Sequence, residues 1–319
     1  MTEIHVDTDI GGDIDDLCAL AMVLRWRGAK LVAVTTNSDD QGRRAGYARY
    51  VLDLAGAREV PVAAGADASE GHYRVWPGIP DECRYWPEPI APHPSPPGAA
   101  LDLLENSIRR GAIVVAIGAY TNLALLEERR PGILQYARLF LMGGHAFPPR
   151  PGFPSWGPKE DWNIQVDVRS AQSVLERANP TLIPLSVTVE TALRRAHLPA
   201  LQASDDLGRL IARQAIAFEQ DEKLSERLGA SCPKLPSDLI NFLHDPLACA
   251  IALGWREGVE IQQVPLAAEV RDGWLYQRTA PGGRETSIVT RIDGAAFSDF
   301  WLRVVTGGEE PRLDGNHSP

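Results

Sequence analysis

Five aspartates crowd into ten residues near the start of the chain: Asp7, Asp9, Asp13, Asp15 and Asp16, in the run IHVDTDIGGDIDDL. Carboxylates this close repel one another unless a positive charge sits among them. Helix capping explains one or two of them, since Asp13 or Asp15 could accept an unpaired N–H at a helix start. Asp7 and Asp9 have no such reason, because period-two alternation puts both on one side of a strand end. A cation site is the chemistry this spacing supports best. An EF-hand does not fit: counted from Asp7, the fifth position is Gly11 and the twelfth is Cys18, where oxygen donors are needed. A phosphoryl-transfer pair would suit Asp7 and Asp9, but it leaves Asp15 and Asp16 without a role, since phosphate adds more negative charge. The chain has no G-x-x-x-x-G-K-[ST] phosphate loop.

The elements that must position these acids read as an alternating chain. Residues 16–28 place Leu17, Leu20, Ala21 and Leu24 at helical spacing, with Gly28 to end the helix. Residues 31–34 form a short apolar strand, 42–56 a helix, and 60–64 a strand that Pro61 should shorten. A long proline-rich segment, 65–98, carries Trp76 and Trp86 and reads as an ordered lid. Next come a helix at 99–110, a strand at 112–117, a helix at 121–130 and a strand at 138–142. A second loop, 146–160, holds Trp156 and precedes a helix at 167–178 and a strand at 181–187. Later segments include a helix at 207–222, strands at 261–270, 274–278 and 286–292, and a closing helix at 295–305.

Short apolar strands between amphipathic helices predict an α/β fold, with a mostly parallel central sheet flanked by helices, open and Rossmann-like. Such sheets bind ligands beyond the carboxyl ends of their strands. Asp7, Asp9, Asn37, Asp39, Asp40 and Gly118 all fall at those ends. With no internal repeat and no linker, residues 1–306 read as a single domain and 307–319 as a loose polar tail.

Composition narrows the class. The 319 residues can bury a large core, and 44% hydrophobic with 23% charged residues fits a soluble globular protein. A net charge of -10 argues against a nucleic-acid polymer as partner, but not against a small neutral ligand. Cys18, Cys83, Cys232 and Cys249 show no C-x-x-C spacing, so reduced thiols and a cytoplasmic protein are expected. No signal-peptide pattern or membrane-length apolar run is visible.

Several blocks, in order, carry a resemblance to a known family. DTDIGGDIDDLCAL (residues 7–20) is similar to the N-terminal signature of the nucleoside hydrolases, the inosine–uridine-preferring ribohydrolases. VVAIGAYTNLALL, LFLMGG, DWNIQVDVRSA and LHDPLACA follow at matching places, so the resemblance spans residues 4–250. It implies a Ca2+-dependent enzyme that cleaves the N-glycosidic bond of a ribonucleoside and assembles as a homodimer or homotetramer. Residue by residue, Asp9 resembles the calcium ligand that takes a proton from the attacking water. Asp16 and Asp245 resemble the other carboxylate ligands, and Ile117 holds the place of the ligating backbone carbonyl. Asp15 and Asn163 resemble ribose ligands, and Asp161 stands where the family usually has glutamate. His244 resembles a histidine that protonates the leaving base in one branch.

The bond broken makes these types sensible. Glycosidic cleavage passes through an oxocarbenium-like state, which carboxylates stabilise. Calcium takes about six to eight oxygen ligands and suits a carboxylate and carbonyl site. A general acid such as His244 would help a poor leaving group by roughly 10²–10⁴-fold.

The chain also departs from the family pattern. Gly12-Asp13 reads as an insertion, and Asp13 gains no role beyond a possible cap. Asp40 replaces the asparagine usual after the second strand. The loop after LMGG lacks an asparagine before Asp161, and only His72 is a candidate for a histidine often found in the third-strand loop. These changes touch sugar and base contacts rather than metal ligands. Trp76, Trp86, Trp156 and Trp162 could stack on a base, with Trp162 expected in the core. The arginine pairs, Arg43-Arg44 among them, read as solvated helix ends. Two rivals remain: a binding protein that keeps the metal without turnover, and a metal-dependent phosphatase.

Overall fold

The computed structural model describes residues 1–67 and 82–308. Among them, eleven strands run in chain order as β1 (Thr2–Thr8), β2 (Ala29–Thr36), β3 (Val62–Ala64), β4 (Ile113–Ala116), β5 (Arg138–Met142), β6 (Thr181–Ile183), β7 (Leu193–Arg194), β8 (Leu239–Asn241), β9 (Glu260–Arg271), β10 (Trp274–Thr279) and β11 (Arg284–Arg291). Nine of them form one sheet in the order β10-β9-β11-β6-β5-β4-β1-β2-β3, while β7 and β8 pair separately. The run from β6 to β3 is parallel throughout. β11 continues it in parallel beside β6, and β9 lies antiparallel to both β11 and β10. The three late strands predicted from sequence therefore build an antiparallel edge on a parallel sheet.

Helices fill the crossovers. α1 (Asp15–Arg25) joins β1 to β2, and α2 (Arg43–Leu54) joins β2 to β3. α3 (Glu82–Tyr85) and α4 (Ala99–Arg109) precede β4, and α5 (Thr121–Arg129) follows it. α6 (Trp162–Gln165) and α7 (Val168–Arg177) lie between β5 and β6, and α8 (Leu185–Thr188) follows β6. α9 (Leu198–Ala203), α10 (Asp206–Glu222) and α11 (Leu224–Gly229) separate β7 from β8. α12 (His244–Ala252) follows β8, and α13 (Gly294–Val305) follows β11.

Strand alternation sorts the core onto two faces. In the β4 segment, Ile113, Val115 and Ile117 join the cluster built with α1, α12 and α13. Val114 and Ala116 join the cluster built with α4, α5 and α7. A strand buried on both sides needs the unbroken apolar run that the sequence shows here. The strand expected at 181–187 is shorter, because Pro184 cannot donate to a ladder and residues 185–188 turn into α8. Trp86 is fully buried and stacks on Tyr47 at 4.6 Å, so it belongs to the core rather than to a base-binding wall. His72, Trp76, much of the 65–98 lid and the tail beyond 308 lie outside the described residues.

β1 has β4 on one side and β2 on the other, so the strand order reverses beside it. Crossovers diverge there and leave a crevice at the carboxyl ends of the strands. The acidic run begins at that end of β1.

Candidate active site

β1 ends at Thr8, so Asp9 is the first residue off the sheet edge, and a glycine turn leads into α1. Gly11 has φ +106°, and a Cβ there would meet the Tyr47 ring at 2.4 Å. Only glycine turns the chain at that point. Asp15 and Asp16 open α1 and Asp245 sits in the first turn of α12, both at helix starts, where the dipole favours negative charge. Oxygens of Asp15, Asp16 and Asp245 all lie within 4.8 Å of one another, and all three side chains are buried. Burial and mutual repulsion push these three carboxyls well above the usual carboxylate range. Burial raises Asp9 too, while the Arg44 charge and an N–H from Trp162 pull it back.

Neighbouring residues aim this cluster. Thr8 Oγ1 donates to Asp16, and the amide of Asp245 donates to Asp15 at 3.3 Å. Trp162 Nε1 donates to Asp9 Oδ2 at 3.2 Å. That indole packs half-buried against the Ala119–Val166 core cluster, in line with the expectation, while its N–H reaches the acidic turn. Asp13 gains a role the resemblance did not supply. It accepts Nδ2 of Asn241 and the amide of Ile14, so it ties the start of α1 to β8, the strand just ahead of α12.

Asp7 serves as a hub rather than as part of the cluster. Thr35 Oγ1, Asn122 Nδ2 at 2.8 Å and Asn37 Nδ2 at 3.1 Å all donate to its carboxylate. Asn37 Oδ1 in turn accepts the Ala119 amide, and Asn122 Oδ1 accepts that of Ala66. The Asp7 carbonyl also accepts the Ile117 amide at 2.8 Å, fixing the peptide beside the cluster. Gly118 keeps this junction tight, because a Cβ would meet Asn37 and the Asp9 amide within 3 Å.

The remaining site residues divide. Asn163 is buried, with Nδ2 on the Met142 carbonyl at 3.1 Å. Asp161 caps α6: its carboxylate accepts the amides of Gly144 at 2.7 Å and Ile164 at 3.2 Å, and burial lifts it to about 7. Its oxygens are thus spent on backbone two residues before Asn163. Asp40 is exposed and is not brought into the buried cluster. Its neighbour Asp39 turns inward instead and accepts the amides of Arg44 and Ala45 at the start of α2.

His244 opens α12 beside Asp245, with Nδ1 at 2.6 Å from Thr188 Oγ1. Burial lowers its pKa to about 3, so the ring is neutral near pH 7. Trp156 meets Phe242 edge-on at 5.4 Å and lies 6.3 Å from the His244 ring, so the loop after β5 supplies an aromatic wall.

Sequence reasoning missed Arg44 most clearly. It was expected as a solvated helix end, yet its side chain is buried, and it lies in the first turn of α2 at the dipole-unfavourable end. A cation placed against a helix dipole needs another reason; that was the available signal. Among the described residues Cys18, Cys232 and Cys249 are buried free thiols, and Cys83 is exposed.

Residues 4–299 match the family model described as inosine-uridine preferring nucleoside hydrolase. The chain belongs to that family. It is a nucleoside hydrolase, an N-glycosidase acting on ribonucleosides, and the Asp15–Asp16–Asp245 cluster fits the cation that this metal-dependent family requires. The pyrimidine-specific ribonucleoside hydrolase RihA of Salmonella schwarzengrund is 26% identical over 263 residues, covering 78% of each chain. A purine-preferring ribonucleoside hydrolase from Gardnerella vaginalis superposes with TM-score 0.75 at 20% identity, covering 96% of this nucleoside hydrolase and 98% of that chain. A plant nucleoside hydrolase, PpNRh1, gives TM-score 0.73 at 18% identity, covering 96% and 99%. At these identities the structural matches speak to the fold. Among the described residues no helix is long and apolar enough to cross a membrane.

Proposed function

We propose that this nucleoside hydrolase holds Ca2+ through Asp9, Asp16, Asp245 and the carbonyl of Ile117, and releases free base and ribose from a ribonucleoside. The observation that carries this reading is the convergence of buried carboxylates from α1 and α12, 229 positions apart between Asp16 and Asp245. Raised carboxyl pKa values of this kind mark a place where a cation would relieve repulsion. Four oxygen donors and no thiolate or imidazole suit a hard cation that keeps further positions for water and sugar oxygens. Bound there, calcium would acidify and orient a water.

The chain's own groups do the rest. Asp9 accepts the proton of the attacking water, its carboxylate held by Trp162. Asp15 and Asn163 bind the ribose hydroxyls and hold the anomeric carbon in line with that water. As the N-glycosidic bond breaks, the electron pair leaves with the base and the sugar becomes cationic, stabilised by the surrounding carboxylates. His244 Nδ1 pairs with Thr188 Oγ1, and in the tautomer that accepts there the ring proton sits on Nε2, where the neutral imidazole is a donor to the departing base. Asp161 positions Asn163 through its cap on α6, and Asp40, on the exposed rim, contacts an outer part of the nucleoside. Trp156 lines the base side.

Incubating the enzyme with a mixture of purine and pyrimidine nucleosides tests this directly. Free base and reducing sugar should appear in equal amounts. Binding without release of either would favour a homologue that has lost turnover, and phosphate release from a nucleotide would favour a phosphatase. The physiological setting proposed is a cytoplasmic homodimer or homotetramer.

A further inference from the structure

Arg44 stands apart from every other basic residue. Among the described residues it is the only arginine or lysine with a buried side chain, at 6% exposure. It forms no ion pair with a carboxylate there. Its guanidinium faces backbone instead: Nε donates to the Ser38 carbonyl at 2.8 Å, and Nη1 to the carbonyls of Asp9 and of Ile10, the latter at 3.1 Å. Those two carbonyls leave the sheet just where β1 ends, so no ladder satisfies them, and buried acceptors need a donor. The Arg44 amide is itself held by Asp39 at 2.9 Å, which fixes the stem from which the fork extends. One planar fork thus spans the loop after β2 and the turn that carries Asp9. Its charge also favours the ionised forms of Asp9 and Asp16.

We infer that Arg44 is a positioning residue of the metal-binding turn, setting the Asp9–Ile10 backbone before the cation arrives. The inference rests on the calcium reading above. An arginine that only contributed charge would repel a divalent ion, and its removal would tighten metal binding. One that preforms the turn has the opposite effect, because without it the ion must organise the turn as it binds. Lysine keeps the charge but lacks the fork, since it offers a point donor rather than a plane of N–H groups. Losses of partners that orient metal ligands run at roughly 10–100-fold in affinity.

The test is Ca2+ titration by calorimetry of the wild-type enzyme, Arg44→Lys and Arg44→Met, with thermal unfolding in saturating Ca2+ as a check on the fold. Both variants should bind Ca2+ at least tenfold more weakly. Wild-type affinity, or tighter binding, in either folded variant overturns the inference and leaves the calcium reading standing. Failure of the wild-type enzyme to bind Ca2+ overturns both. A measurement on unmutated protein guards against variants that do not fold: in metal-free wild-type enzyme the amides of Ile10 and Ile14, which donate to Thr8 and Asp13 within this turn, should be protected from hydrogen exchange. Free exchange there contradicts a turn preformed by Arg44.

Discussion

His244 shows how one side chain's surroundings redefine its chemistry. As an exposed imidazole it would hand over a proton near neutral pH; with its pKa lowered to about 3 it is neutral and can only offer an N–H. His244→Ala should therefore slow natural nucleosides far more than an activated nitrophenyl riboside, whose leaving group needs no such help. Equal loss on both substrates, in steady-state assays, removes the histidine from leaving-group stabilisation. A second histidine, His5, sits in β1 with no exposure and is lowered to about 3 by burial. Thr35 Oγ1 donates to Asp7, so it accepts from Nε2 of His5, and in the neutral ring Nδ1 then accepts from Ser107 at 2.8 Å. Burial of the ring makes the folded state favour neutral His5. Its contribution to stability is complete above the ordinary histidine value of 6.5 and falls away as pH drops towards 3. Each unit in that window costs about 1.4 kcal/mol. Denaturant titrations of wild type and His5→Gln between pH 6.5 and 4 should differ in slope by about that amount. Parallel pH profiles would contradict it.

At the scale of elements, the decisive feature is how loops are tied to strand ends. The loop carrying Trp156 is anchored by Arg150, whose guanidinium grips both oxygens of the buried Glu190 just after α8. Arg150 and Lys234 also lie over the Phe153 ring. Arg150→Ala should leave Glu190 buried and unpaired, a loss smaller than the about 3–5 kcal/mol of fully buried pairs because the Arg150 side chain is 43% exposed. It should raise KM for nucleosides more than it lowers kcat, because the aromatic wall moves while the carboxylate cluster stays. A fall in kcat at unchanged KM would argue that this loop acts on the chemical step. The strands and helices themselves were legible from periodicity: the pattern 112–117 differs from β4 by a residue at each end. What periodicity could not show was the direction of β9 and β10, because an antiparallel edge strand and a parallel one share the same alternation. Nor could it show α8, where Pro184 interrupts a run that still reads as apolar.

Across the whole molecule, the site is assembled by topology. Asp15 and Asp16 open the first crossover helix and Asp245 comes from α12, 229 positions after Asp16, and the fold brings these three carboxylates together beside the turn that carries Asp9. The acid-rich turn was visible in the sequence as unexplained charge, and the match to family blocks linked it to His244-Asp245. Other residues that act by holding their neighbours were not visible: the Asp13–Asn241 tie, Trp162 on Asp9 and Arg44 all depend on contacts between segments distant in sequence. Their residue types alone fit caps, cores or solvated ends equally well. The central claim is that this assembled cluster works through one cation. Stripping the enzyme with a chelator and following ribose release from a nucleoside as Ca2+ is added back tests it most directly. Turnover should fall at least roughly a hundredfold on stripping and return with one Ca2+ per chain in the wild type, but not in Asp245→Ala. Full turnover in the stripped enzyme, or in that variant, would contradict the account.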